Sequence, residues 1–127
     1  MKKSDKIKNK VICFDLDNVI CSTKKNNYKQ SKPIKKSVKI VNDLFSNGFT
    51  IKIFTARFMG RSNDNARKAR LNGYKLTKLQ LKKWKVNYHK LIMGKPSYDL
   101  IIDDKSLGFK KNWNISVTSA LRKIKKL

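Results

Sequence analysis

The segment VICFDLDNVI, residues 11–20, opens as an apolar run through Val11, Ile12, Cys13 and Phe14. It then meets two aspartates one residue apart, Asp15 and Asp17. Across the 127 residues there are only 8 acidic side chains against 32 basic ones. None of the acids is Glu, and four of the eight fall in two clusters, Asp15 with Asp17 and Asp103 with Asp104. A chain so short of negative charge needs a chemical reason to pair its carboxylates. Capping of a turn is the plainer reason, but an acid pair closing an apolar strand argues against it.

Three further apolar runs have strand length: TIKIFT at 50–55, HKLIMG at 89–94 and YDLIIDD at 98–104. Short runs rich in β-branched and aromatic residues suit strands buried on both faces, as in parallel sheets. Helical patterns lie between and after them. Residues 36–47 place Val38, Val41, Leu44 and Phe45 on one face, and Gly48 follows as a stop. Residues 77–86 form a second candidate with Thr77 as N-cap, and residues 116–127 a third with Val117, Leu121 and Ile124 in line. Residues 22–35 and 58–75 read as loops, the latter with a short helix near 64–71.

Alternating strands and helices predict an α/β domain, a Rossmann-like three-layer sandwich with a mainly parallel sheet. The length suits a single domain over residues 1–127, with 1–9 as a mobile basic arm. In such sheets ligands bind outside the carboxyl ends of the strands. Asp15 and Asp17, Thr55, Lys95, and Asp103 with Asp104 each follow or end a predicted strand. All four groups should therefore meet at one edge.

Two carboxylate pairs at one edge would repel unless a divalent cation offset them. An all-oxygen, carboxylate-rich site suits Mg²⁺, which also binds substrate phosphate. A carboxylate can serve as nucleophile and form an aspartyl-phosphate. A second Asp two residues on could protonate the leaving oxygen and later activate water.

The order of these groups resembles the haloacid dehalogenase-like (HAD) phosphohydrolases. FDLDNVI is similar to the first family motif, IKIFTAR to the second, Lys95 in GKPSYD to the third and LIIDD to the fourth. Phosphoacceptor receiver domains use similar residues, but there the acidic pair comes first. The resemblance spans residues 11 to about 104 and implies a role for each matching residue. Asp15 would be the nucleophile and Asp17 the general acid/base. Thr55 would bind phosphoryl oxygens, and Lys95 would orient the nucleophile. Asp15, Asp17, Asp103 and Asp104 would hold Mg²⁺. Many family members carry Gly-Thr where this chain has Asn18-Val19, so Asn18 is a candidate substrate contact.

Plainer roles stand beside these. Thr55 alone would suit an ordinary strand end, and Asp103 and Asp104 could open a helix near Ser106. Arg57, one of few arginines, could grip a substrate anion or form a surface salt bridge. His89, the only histidine, fits a structural role better than a catalytic one. Trp84, Tyr88 and Trp113 suit core or interface positions better than base stacking.

The gaps between motifs hold one helix and one or two short ones, too little for a cap domain. FTAR, WKVNYHK and GKPSYDLIIDD most resemble small phosphatase-like proteins of bacterial capsule and surface-polysaccharide synthesis. That resemblance implies a sugar-phosphate or related small substrate. An open, capless site also suits macromolecular phosphates, or a homo-oligomer that encloses a small substrate.

The formal net charge of +24 points to phosphate-bearing partners. Its excess of Lys over Arg is equally what coding bias toward Lys and Asn would produce. The rival functions are a phosphatase acting on nucleic-acid ends and a non-catalytic nucleic-acid-binding domain on a HAD-like scaffold. Cys13 and Cys21 suggest neither a disulfide framework nor a zinc site. No run has the roughly 20 apolar residues of a membrane span. The charged start MKKSDKIKNK precedes no signal-like stretch, so the expected location is the cytoplasm.

Overall fold

The computed structural model describes residues 10–108 together with 113, 115–117 and 119. The expectation for residues 1–9 and the predicted helical positions Leu121 and Ile124 lie outside the described residues. In chain order the elements are β1 (Val11–Phe14), β2 (Cys21–Ser22), β3 (Lys32–Pro33), α1 (Lys35–Ser46), β4 (Thr50–Thr55), α2 (Ala66–Lys83) and β5 (Lys90–Met93).

The protein is an α/β fold whose three-stranded parallel sheet, ordered β1-β4-β5, is flanked by helices. No extra domain is present among the described residues. Central β4 alternates fully buried Ile51, Ile53 and Thr55 with half-buried neighbours, as expected of a strand covered on both faces. The register pairs Phe14 with Ile53 and Thr55 with Met93. The residues that follow β1 and β5 therefore emerge beside the end of β4. Helix α1 packs on β4 and α2 on β5. Leu16, Ile20, Val41, Phe49 and Leu81 complete the core. Trp113 and Val117, both helical, join it, with the Trp113 ring 5.9 Å from that of Phe14. Among the described residues no helix is long and apolar enough to cross a membrane.

Three local expectations change. First, residues 64–86 do not hold two helices but essentially one, α2, which runs through the Asn72-Gly73 pair. Its cap is Asn65, whose Oδ1 accepts the Lys68 amide at 3.1 Å, while Thr77 lies buried inside the helix. Close packing accounts for Gly73 inside the helix. A Cβ at this position would run into the Phe58 ring and stand 3.2 Å from Met93 Cε. Second, the 22–35 segment is ordered by the antiparallel pair β2–β3 and a 3-10 turn over Tyr28–Gln30.

Third, the run 98–104 forms no strand. Leu100, Ile101 and Ile102 are exposed, Ile102 at 91 %. Strands buried on both faces need covering layers, and no described element covers this run. Its apolar composition alone does not place it in the sheet.

Candidate functional site

The parallel sheet delivers Asp15, Thr55 and Lys95 to one edge. Asp15 follows the last residue of β1, Thr55 ends β4, and Lys95 lies one residue beyond Gly94 after β5. Gly94 takes φ +96, which glycine adopts freely, and a Cβ there would stand 2.9 Å from that of Ala66 in α2. The turn returns the chain toward β4, where the Lys95 amide donates to the Thr55 carbonyl at 3.1 Å. The Lys95 ammonium then reaches Asp15 Oδ1 at 3.7 Å.

Asp15 keeps 39 % of its side-chain surface exposed. Its Oδ1 also accepts the Leu16 amide at 2.8 Å. Partial burial pushes its carboxyl above the ordinary range, against the opposing pull of Lys95 and the Leu16 amide. At Lys95 burial works against the charge. Tyr98, whose ring lies 5.3 Å below the ammonium, and Asp15 outweigh it and move the group upward. Thr55 is fully buried, and its hydroxyl oxygen accepts the Arg57 amide at 3.1 Å. That leaves the hydroxyl proton available for another acceptor.

Asp17 is held differently. Its Oδ1 accepts from Thr23 Oγ1 at 2.6 Å and from Arg57 Nη2 at 2.9 Å. The Arg57 Nε–H is shared between both carboxylate oxygens at 3.1 Å. Arg57 is 1 % exposed and does not present a free surface to a substrate. Its expected roles, anion grip or surface salt bridge, give way to a buried ion pair with Asp17. The fully buried Cys21 thiol sits 3.5 Å from Asp17 Oδ1, and burial pushes it up to about 11.

Asn18 occupies the left-handed region at φ 66. Its amide donates to the Cys21 carbonyl, and its Oδ1 accepts the Thr23 amide at 3.2 Å. The side chain therefore shapes the turn that presents Thr23 to Asp17. His89 is structural: Nδ1 accepts the Ile51 amide at 3.0 Å, and its ring stacks on Phe45.

The acidic pair stands apart. Asp103 Oδ1 accepts the Lys105 amide at 2.9 Å, and its carbonyl accepts Ser106 Oγ. This is a local turn of the kind Asp often makes. Among the described residues no three His, Cys, Asp or Glu side chains gather into a group that could hold a metal. Mg²⁺ needs fewer protein ligands than that, one or two carboxylates completed by water and substrate phosphate. Asp15 fits such a role. Asp17 Oδ1 is committed to Arg57 and Thr23, so Asp17 would contribute its main-chain carbonyl.

Several site residues escaped the sequence: Thr23, Tyr28, Ser31, Thr77 and Gln80, which all surround Arg57 or Asp17. The one available signal was Arg57 itself, an arginine where lysine is the chain's usual cation.

No family model matches this sequence, and no curated protein does. Among solved structures the fold is similar to a crystal structure of a structural-genomics target from Vibrio cholerae. The TM-score is 0.79 at 22% identity, over 92% of this chain and 97% of that one.

Proposed function

We propose that the protein is a HAD-type phosphomonoester hydrolase that works through an aspartyl-phosphate on Asp15. The observation that carries this reading is the half-exposed Asp15 carboxylate, with Lys95 at 3.7 Å, beside the strand that ends in Thr55. Asp15 would attack phosphorus as the bond to the leaving oxygen breaks. Asp17 would give that oxygen a proton. Water would then attack the phosphorus and pass a proton to Asp17, and the bond to Asp15 would break to release inorganic phosphate. Lys95 would offset charge on the phosphoryl oxygens, and the fully buried Thr55 would hold the strand end beside Asp15 through its hydrogen bond with the Arg57 amide. Magnesium, held by Asp15 with water and the substrate's own oxygens, would supply further charge neutralisation. The resemblance of FTAR, WKVNYHK and GKPSYDLIIDD to small polysaccharide-synthesis phosphatases favours a sugar phosphate or related small metabolite as the substrate.

The test is phosphate release from sugar phosphates, nucleotides and 3′-phosphorylated oligonucleotides, with and without Mg²⁺. Mg²⁺-dependent release of phosphate from the sugar phosphates is the expected result. No release from any of them would overturn the assignment.

A second reading, action on or binding of nucleic acid, draws support from a cleft of about 460 Å³. Lys32, Lys35, Lys83 and Lys85 line it around Trp84. Lysines with an aromatic face suit a phosphate backbone and a stacked base. Oligonucleotide binding that weakens steeply with salt and with Trp84→Ala would favour this reading.

A further inference from the structure

Arginine has five N–H donors and no acceptor. In Arg57 all five are used inside the protein. Nε donates to Asp17, and Nη1 to Thr77 Oγ1 at 3.3 Å and to Gln80 Oε1. Nη2 donates to Asp17 Oδ1 and, at 3.2 Å, to Ser31 Oγ. The Tyr28 ring covers the guanidinium at 5.0 Å, and Gln80 is itself fixed by donating to the Tyr28 carbonyl at 2.6 Å. No donor remains for a substrate.

The two oxygens of Asp17 are unequal. Oδ1 accepts from Thr23, from Arg57 Nη2 and in part from Arg57 Nε. Oδ2 has only its share of the Nε–H. A carboxyl oxygen that carries a proton needs a free lone pair, and Oδ2 is the less engaged of the two.

We infer that Arg57 is a positioning residue: its buried guanidinium, with Thr23, anchors Asp17 through Oδ1 and reserves Oδ2 for the transferred proton. The inference rests on the proposed phosphatase activity. In the first step Oδ2 gives its proton to the leaving oxygen as the P–O bond breaks. The guanidinium offsets the charge that Asp17 then carries. In the second step Oδ2 takes a proton from the attacking water. A lysine here would preserve the charge but lose the planar fork that engages Asp17, Gln80, Thr77 and Ser31 together.

The experiment compares two phosphomonoesters in wild type and Arg57→Lys. An alkyl ester such as glycerol phosphate needs a proton on its leaving oxygen, whereas 4-nitrophenyl phosphate does not. The expected result is a kcat loss of about 100-fold or more for the alkyl ester, a much smaller loss for the nitrophenyl ester, and an unchanged KM. A rise in KM at constant kcat would make Arg57 a substrate contact, and equal losses on both esters would make it merely structural. Either result overturns the inference. Thr23→Val, which removes the other Oδ1 anchor without touching the buried charge, supplies the same comparison if Arg57→Lys does not fold.

The anchor is also tested without turnover, by the NMR signal of the Arg57 Nε–H. It should exchange slowly with solvent in wild type and shift in Asp17→Asn. Fast exchange, or a signal that Asp17→Asn leaves in place, overturns the anchor whatever the activity. A slow, shifting signal in a protein that hydrolyses neither ester overturns the phosphatase assignment and leaves the ion pair structural.

Discussion

Lys95 Nζ lies 3.7 Å from Asp15 Oδ1, and the amide of the same lysine is fixed to the Thr55 carbonyl at 3.1 Å. One residue thus joins the end of β5 to the end of β4 and aims its charge at the residue after β1. Lys95→Ala should lower kcat by about 10²-fold, the scale of losing one preorganised electrostatic partner. It should change stability by no more than about 1 kcal/mol, because the pair is partly solvated. Lys95 also pulls the Asp15 titration downward against burial. The acid limb of kcat/KM should therefore move to higher pH in Lys95→Ala. A pH–rate profile of both proteins checks this, and a limb that stays in place would remove Asp15 as the ionising nucleophile.

Asp15→Asn should abolish phosphate release, and it should also stabilise the fold near neutral pH. The sign follows from the raised titration of Asp15. A carboxyl that is harder to ionise in the folded state than in the unfolded chain carries no penalty at pH values below its ordinary range. The penalty appears as pH rises through that range and persists above the folded value. Asn has no charge to hold, so its advantage over wild type should be absent at low pH and present at neutral pH. Thermal melts of the two proteins across this interval give the comparison. A variant less stable than wild type at neutral pH would show that the Lys95 ion pair outweighs the burial.

Those residues were legible because strand-end chemistry is local. An apolar run followed by Asp, Thr or Lys marks the carboxyl edge of a parallel strand, and β1, β4 and β5 formed where the runs predicted. What surrounds Arg57 was not legible. Its partners come from the loop after β1, a hairpin, a 3-10 turn and the middle of α2, separated from Arg57 by up to 40 residues and joined only by packing. The length of α2 was hidden for a related reason. Asn72-Gly73 carries the composition of a turn, and only the ring of Phe58 against the helix explains a glycine there. The run at 98–104 erred in the other direction. Its composition is that of a strand, but composition does not supply the layer that would bury it.

Gly73 yields a prediction in which local propensity and packing oppose each other. Alanine is about 1 kcal/mol better than glycine inside a helix. The added methyl would meet the Phe58 ring, which Tyr28 and Arg61 hold on other sides. Overpacking of this kind costs about 1–3 kcal/mol, so Gly73→Ala should be destabilising on balance. Displacement of Phe58 would also disturb Tyr28, the ring over Arg57. Urea melts give the sign directly. A more stable Gly73→Ala protein would mean that Phe58 moves aside freely.

Asn18 accounts for the departure from Gly-Thr after the second aspartate. Its φ of 66 lies where glycine rests freely and asparagine is the tolerated alternative. Asparagine also contributes a side-chain acceptor for the Thr23 amide, and Thr23 in turn donates to Asp17. Asn18→Gly should therefore keep the turn and change stability by less than about 1 kcal/mol, the net worth of one exposed hydrogen bond. Asn18→Val should cost more, because a β-branched side chain in the left-handed region adds roughly 1–2 kcal/mol of steric strain. Both variants release the Thr23 amide, but only valine forces the backbone to shift. If Thr23 presents its hydroxyl to Asp17 through this turn, Asn18→Val should lower kcat with little change in KM, while Asn18→Gly stays close to wild type. Paired melting and kinetic measurements on the two variants decide the matter. Equal stability would show that the left-handed turn does not select the residue at position 18.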